Sequence, residues 1–188
     1  MDARGVLLLE KKSSDGKTIA KTLSGYYRPM FSFMYNGAIR NNVADLRMCL
    51  DYHHSLYKLH KPGLTFGWQH KLVLCQITAG ICEGLLFDFF EHETSQNNKS
   101  IGGILAKQRL DSKNFGFGSL IEIFFQSGNL NEKWRKYLIK LKHVRDTVHP
   151  KSLNDPKASF QENSIVRGNI DVLINNLERF TAYIKNRY

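Results

Sequence analysis

Cysteine, proline and acidic side chains are all scarce in this 188-residue sequence. Its three cysteines, Cys49, Cys75 and Cys82, are an odd number without CxxC spacing, which argues against a disulfide framework and against a zinc knuckle. No apolar run approaches the roughly 18–20 residues that a membrane span needs. The opening MDARGVLLLEKK has an apolar stretch too short for a signal peptide, and Glu10 interrupts it. There is no serine or cysteine triad and no pair of catalytic carboxylates. The glycine-rich run Asn114-Phe115-Gly116-Phe117-Gly118 follows no predicted strand and lacks the Walker lysine, so it reads as a loop. His53, His54, His60 and His70 cluster in sequence, but without carboxylates at metal-ligand spacing, and neither a metal site nor a cofactor is expected. Seventeen Asp and Glu against twenty-seven Lys and Arg leave a net charge of +10, which predicts attraction to polyanions and says nothing of fold. The expectation is a basic, soluble, cytoplasmic protein.

What is present suffices for one packed domain: 42% of residues are hydrophobic, 23% are charged, and no internal repeat, low-complexity tract or long linker interrupts them. Residues 6–11 and 17–22 flank Asp15-Gly16, a hairpin signal because both central positions of a type I′ turn need positive φ. A small β-hairpin is therefore expected over residues 1–25, and a helical domain over 26–188. Helix is predicted from Pro29 to His60, with a break allowed near Asn36-Gly37 or Asn41-Asn42, and Pro62-Gly63 ends it. From Gly67 to Glu91, one broad face collects Leu74, Cys75, Thr78, Ile81, Cys82, Leu85, Leu86 and Phe89. So wide a stripe predicts a central buried helix with Cys75 and Cys82 as core thiols, and His92 to Ser100 reads as a loop. Ser119 and Glu122 fit a capping box, Gly128 a left-handed helix end, and Asn131 a cap for a helix from Glu132 to Pro150. A second capping box at Ser159 and Glu162 precedes Val166, Ile170, Leu173, Leu177, Phe180 and Ile184, the apolar face of a last helix over 160–186. The aromatic run Tyr26, Tyr27, Phe31, Phe33 and Tyr35 reads chiefly as packing, with base stacking as its functional alternative.

The stretch from Glu132 to Lys151 carries seven Lys and Arg against two acids, half of the chain's excess charge. At about 100° per residue, Trp134, Tyr137, Leu138, Leu141, Val144 and Val148 form its apolar stripe. Lys133, Arg135, Lys136 and Lys140 point away from that stripe, whereas Arg145 projects inside it and His149 lies one turn further on. A guanidinium on a core-facing stripe is costly unless it is paired or faces a cleft. Two readings follow. Arg145 is paired with a buried carboxylate such as Glu83 or Asp88, or it forms with His149 a fixed cation and a titratable imidazole aimed at a phosphate. His143, the other imidazole of the segment, lies away from Arg145. In the second reading Asp146 and Thr147 orient the pair, and Arg135, Lys140, Lys142 and Lys151 bind a phosphate backbone.

Leu120-Ile121-Glu122, then Gly128-Asn129-Leu130, then Leu138-x-x-Leu141-x-x-Val144-Arg145-Asp146-x-Val148-His149-Pro150 resemble HEPN domains, the higher-eukaryote and prokaryote nucleotide-binding domains. Ile81-Cys82-Glu83-Gly84-Leu85-Leu86 is similar to that family's earlier core helix, and the likeness covers roughly residues 67 to 186. The resemblance implies an all-α, HEPN-like antiparallel helical bundle. It also implies a metal-independent endoribonuclease whose Arg145 and His149 sit at the cleft of a homodimer, in a toxin or phage-defence component. A nucleotidyltransferase-type antitoxin would be its partner. Asp146 stands where the family usually has asparagine, and three residues separate Arg145 from His149, fewer than is usual. The alternative is a non-catalytic module of the same fold that binds RNA, nucleotide or a protein.

Overall fold

The computed structural model describes residues 25–60, 64–108, 116–146 and 164–188. All regular structure in them is helical, as the apolar periodicity predicts. The predicted N-terminal hairpin lies outside the described residues, as do Ser159-Glu162 and Pro150.

Pro29 does not open the first long helix. It sits in a short 3-10 turn, Arg28–Phe31, where its missing N–H costs nothing. Helix α1, Gly37–His60, starts at the allowed break. The Asn36 side-chain oxygen accepts from the backbone N–H of Ala38 at 2.9 Å and of Ile39 at 3.4 Å, a local cap that competes with continuing the helix backwards. Helix α2, Leu64–Ser95, is longer at both ends than the 67–91 expected. The supposed loop at 92–100 shrinks to a turn around Asn97, whose φ of 54° breaks the helix, before α3 begins at Lys99 and runs to Gln108. Helix α4, Phe117–Gln126, starts two residues before Ser119, so the first capping box does not form; Gly116 is the cap and makes no side-chain bond. Gly128 does take the left-handed conformation, φ 78°, and behind it the N–H of Leu130 reaches the Phe124 carbonyl at 2.8 Å. Asn131 caps α5, Glu132–Asp146, by accepting from the N–H of Trp134 at 3.0 Å. The final helix is split. A single turn, α6 (Ser164–Arg167), carries Val166, and α7, Ile170–Lys185, starts afresh where Asn169 accepts from the N–H of Asp171 at 2.9 Å.

Helix α2 is the hub, packed against each of the other helices. All eight residues of its predicted face are buried. Over Gly67–Ser95 it is long and apolar enough by composition to cross a bilayer, which revises the expectation from run length alone; a core helix meets the same criterion. At Gly84 it meets α1 so closely that a β-carbon would stand 2.5 Å from Val43 Cγ2. Fully buried Asp88 ties both ends of the described chain to α2. Its carboxylate accepts from the backbone N–H of Tyr35 at 2.8 Å, from that of Asn36 at 2.7 Å, and from the Tyr188 hydroxyl. A buried carboxylate is tolerable on these terms because each lone pair used replaces a lost water.

Candidate functional site

Helix α5 buries Trp134, Leu138, Leu141 and Val144 against the hub, and this turns its cations to two flanks. On the flank toward α4 they meet acids. The Arg135 guanidinium grips Glu122, with Nε to Oε1 at 3.0 Å and Nη2 to Oε1 at 3.0 Å, and also reaches Glu132 at 3.5 Å. The Lys142 ammonium binds the Asp146 carboxylate one turn on, and its stem crosses α4 so closely that a β-carbon on Gly118 would lie 2.8 Å from Lys142 Cε.

The wheel put Arg145 inside the apolar stripe; the structure holds its side chain 29% exposed, at the stripe's edge, and supplies its partner. Nη1 donates to Glu83 Oε2 on α2, Nε donates to Asp146 Oδ1 at 3.3 Å, and the guanidinium carbon stands 5.2 Å from the centre of the Phe117 ring on α4. The paired-carboxylate expectation is therefore met by Glu83; Asp88 is occupied elsewhere. Both side chains of the pair are near one-third exposed, 29% for Arg145 and 32% for Glu83, so the cluster lies at the surface rather than in the core. Among the described residues, Arg145 Nη2 has no hydrogen-bond partner. Burial disfavours the charge on Asp146, but Lys142 by hydrogen bond and by charge, and then Arg145, outweigh it and hold its carboxyl below the usual carboxylate range.

Thr147, His149 and Lys151 lie outside the described residues, so the structure brings together only Arg145 and Asp146 of the expected catalytic group. Of the expected RNA-binding cations, Arg135 and Lys142 are engaged by acids. Lys140 is on the other flank of α5, where with Lys133 and Lys136 it lines a groove against the start of α7. Sequence reasoning missed that groove. Its signal was the spacing of those three lysines, one recurring helical face, and the Asn169-x-Asp171 cap that starts α7 beside them.

The other sequence candidates resolve into structure. His54 pairs with Asp171 at 3.1 Å, and a His70 ring nitrogen contacts the His53 carbonyl at 2.9 Å. Among the described residues, no three His, Cys, Asp or Glu side chains group as a metal site. Tyr27 and Phe31 are core, whereas Tyr26 and Tyr35 are exposed. Cys75 and Cys82 are buried, and burial pushes the Cys75 thiol up to about 12. The Tyr137 hydroxyl, close to both thiols, is buried without a hydrogen-bond partner among the described residues; burial first, then Cys82 and Cys75, push its ionisation up.

No protein-family model, curated protein or solved structure matches this chain. The functional argument therefore rests on the residues.

Proposed function

We propose that this chain is a metal-independent endoribonuclease of the HEPN type, with Arg145 binding the scissile phosphate and His149 transferring the proton. The observation that carries this reading is the posture of Arg145. Two carboxylates and an aromatic face hold the guanidinium in a fixed plane at the surface, and its Nη2 amino group has no partner among the described residues. A pre-oriented guanidinium with donors to spare suits the non-bridging oxygens of a phosphate better than a mobile ammonium does. RNA brings its own nucleophile. The 2′-hydroxyl attacks the adjacent phosphorus, the 5′-oxygen leaves, and a cyclic phosphate and a 5′-hydroxyl result. His149 exchanges the proton, and Asp146 and Thr147 orient it. In this reading two copies of the chain join their Arg145–His149 pairs at one basic cleft, in a cytoplasmic toxin or defence component restrained by a nucleotidyltransferase-type antitoxin.

One observation favours a non-catalytic module that binds RNA, nucleotide or a protein. Glu83 and Asp146 match the charges of Arg145 and Lys142, so a phosphate entering there meets a cluster near neutrality. Incubation of the pure protein with total RNA in chelator decides between them. The endoribonuclease leaves cyclic-phosphate ends, is abolished by His149→Ala and is strongly reduced by Arg145→Lys. Protein that binds RNA and never cuts it establishes the module instead, and a His149→Ala variant that cuts like wild type removes His149 from the site.

A further inference from the structure

Two imidazoles meet where the C-terminal half of α1 packs on the first turns of α2. His53 of α1 and His70 of α2 are partly buried and hold their rings edge to face, centroids 5.5 Å apart and planes at 71°. The His53 carbonyl only accepts, so His70 Nε2, 2.9 Å away, carries a hydrogen and donates it; a proton added to His70 enters at Nδ1. Tyr52 lies edge-on to His53 at 5.5 Å, and Tyr57 edge-on to His70 at 5.8 Å. Among the described residues, no carboxylate pairs with either imidazole. The acids around this part of α1 serve other cations. Asp51 holds Arg47 at 3.2 Å and accepts from the Tyr27 hydroxyl at 2.8 Å, while Asp171 of α7 takes Lys58 at 2.7 Å and His54 at 3.1 Å. From α2, Lys71 brings a further positive charge, its Nζ directed to the Gly168 carbonyl at 3.2 Å and 5.4 Å from the Trp68 ring. Cys49, one turn before His53, is an exposed free thiol.

We propose that the His53–His70 pair is a proton-operated release between α1 and α2: it packs as two neutral rings and, once both are protonated, drives the C-terminal half of α1 off the hub. Like charges one ring apart, partly out of water and without an acid between them, repel. Burial first, then charge on His70, hold the His53 imidazole below its ordinary range. The unfolded chain binds that proton at the ordinary value of about 6.5, the folded chain only below it. Stability is therefore full above the ordinary value and is lost as pH falls toward the folded one. The contact of α1 with α7 outlasts this change, because Lys58 above all, with His54, holds the Asp171 carboxyl below the usual carboxylate range. The opening is thus confined to the α1–α2 contact. It involves neither Arg145 nor His149 and stands whatever the chain does to RNA.

The test is amide hydrogen exchange of the full chain at about pH 7.5 and about pH 5, corrected for the acid slowing of intrinsic exchange, together with NMR titration of the histidine ring protons. On acidification, wild-type amides over residues 50–58 are expected to lose at least about fivefold more protection than those of α5. The His53 ring is expected to titrate at lower pH than in the urea-unfolded chain. In His53→Gln/His70→Gln, whose amides hydrogen-bond without titrating, the excess loss of protection disappears; in His143→Gln, at an exposed position on α5, it persists. His70→Gln alone raises the His53 midpoint part of the way, since burial still acts on it. A His53 midpoint equal to that of the unfolded chain overturns the proposal, as does a midpoint that His70→Gln leaves unmoved. Equal loss of protection in wild type and the double variant, or acid loss spread evenly over all helices, overturns it too. The wild-type titration decides the matter even where the double variant does not fold.

Discussion

The Arg145–Glu83 contact joins α5 to the hub across 62 residues of sequence, and its strength can be set by its surroundings. In an effective dielectric of about 20, two unit charges about 4 Å apart attract by about 4 kcal/mol before desolvation and side-chain ordering are subtracted. Fully exposed pairs retain about 0.2–1 kcal/mol of this, and hydrogen bonds to charged groups about 1.5–3 kcal/mol. With about a third of each side chain still in water, the coupling expected here lies between, near 1 kcal/mol. The single losses should be unequal. Glu83→Gln leaves Arg145 its second carboxylate, Asp146, whereas Arg145→Met leaves two carboxylates without the cation between them. Urea unfolding of wild type, Glu83→Gln, Arg145→Met and the double variant measures all of this, with Arg145→Met the more destabilising single change. The coupling should shrink in about 1 M salt, where the screening length falls to about 3 Å. Overall stability should also fall in acid, through Asp146 rather than through this pair. The folded pKa of Asp146 is depressed, so its contribution is present above the ordinary carboxylate value and is lost as pH falls through the lower folded value. A coupling below about 0.3 kcal/mol, within ordinary additivity, would refute the claim that this pair anchors α5.

Two further predictions test the packing. Gly84→Ala gains about 1 kcal/mol of helix propensity but drives a methyl to 2.5 Å from the stiff, buried Val43, an overpacking that costs about 1–3 kcal/mol, so thermal unfolding should show net loss, eased by Val43→Ala. Gly102→Ala and Gly103→Ala on α3, where an added methyl meets nothing within 4 Å, should instead stabilise. Thiol titration of the native protein should label Cys49 quickly and leave Cys75 and Cys82 unreactive until denaturant is added; rapid labelling of all three would contradict their burial.

Local chemistry was legible and most partnership was not, the Arg145–Glu83 pair excepted. The face of α2, the Asn131 cap and the Gly128 turn each depend on residues a few positions apart, so their rules act within a single helix end or helix face. The failures come where two local solutions compete. Ser119 and Glu122 satisfy the capping pattern, but Phe117 is completely buried, and burying its ring starts α4 a turn earlier at a glycine that caps with nothing. Likewise Asn169 offers α7 its own cap, and that breaks a periodic apolar face which reads as continuous from Val166 to Ile184.

Charge shows the same limit more sharply. Counting cations along Glu132–Lys151 treats the helix as uniformly basic, yet its field is set by acids that other helices bring to it. Glu122 comes from α4 and Glu83 from α2, and both reach the same flank. Asp146, which the sequence offers as an orienter for His149, first neutralises Lys142 and Arg145. Lys133, Lys136 and Lys140, which read as ordinary solvated cations, line a groove against the start of α7, and Lys136 meets Glu132 at 3.4 Å. Arg145 is held in place by Glu83, Asp146 and the Phe117 ring. In the proposed endoribonuclease, a guanidinium already fixed by carboxylates contributes direction rather than net charge to the phosphate.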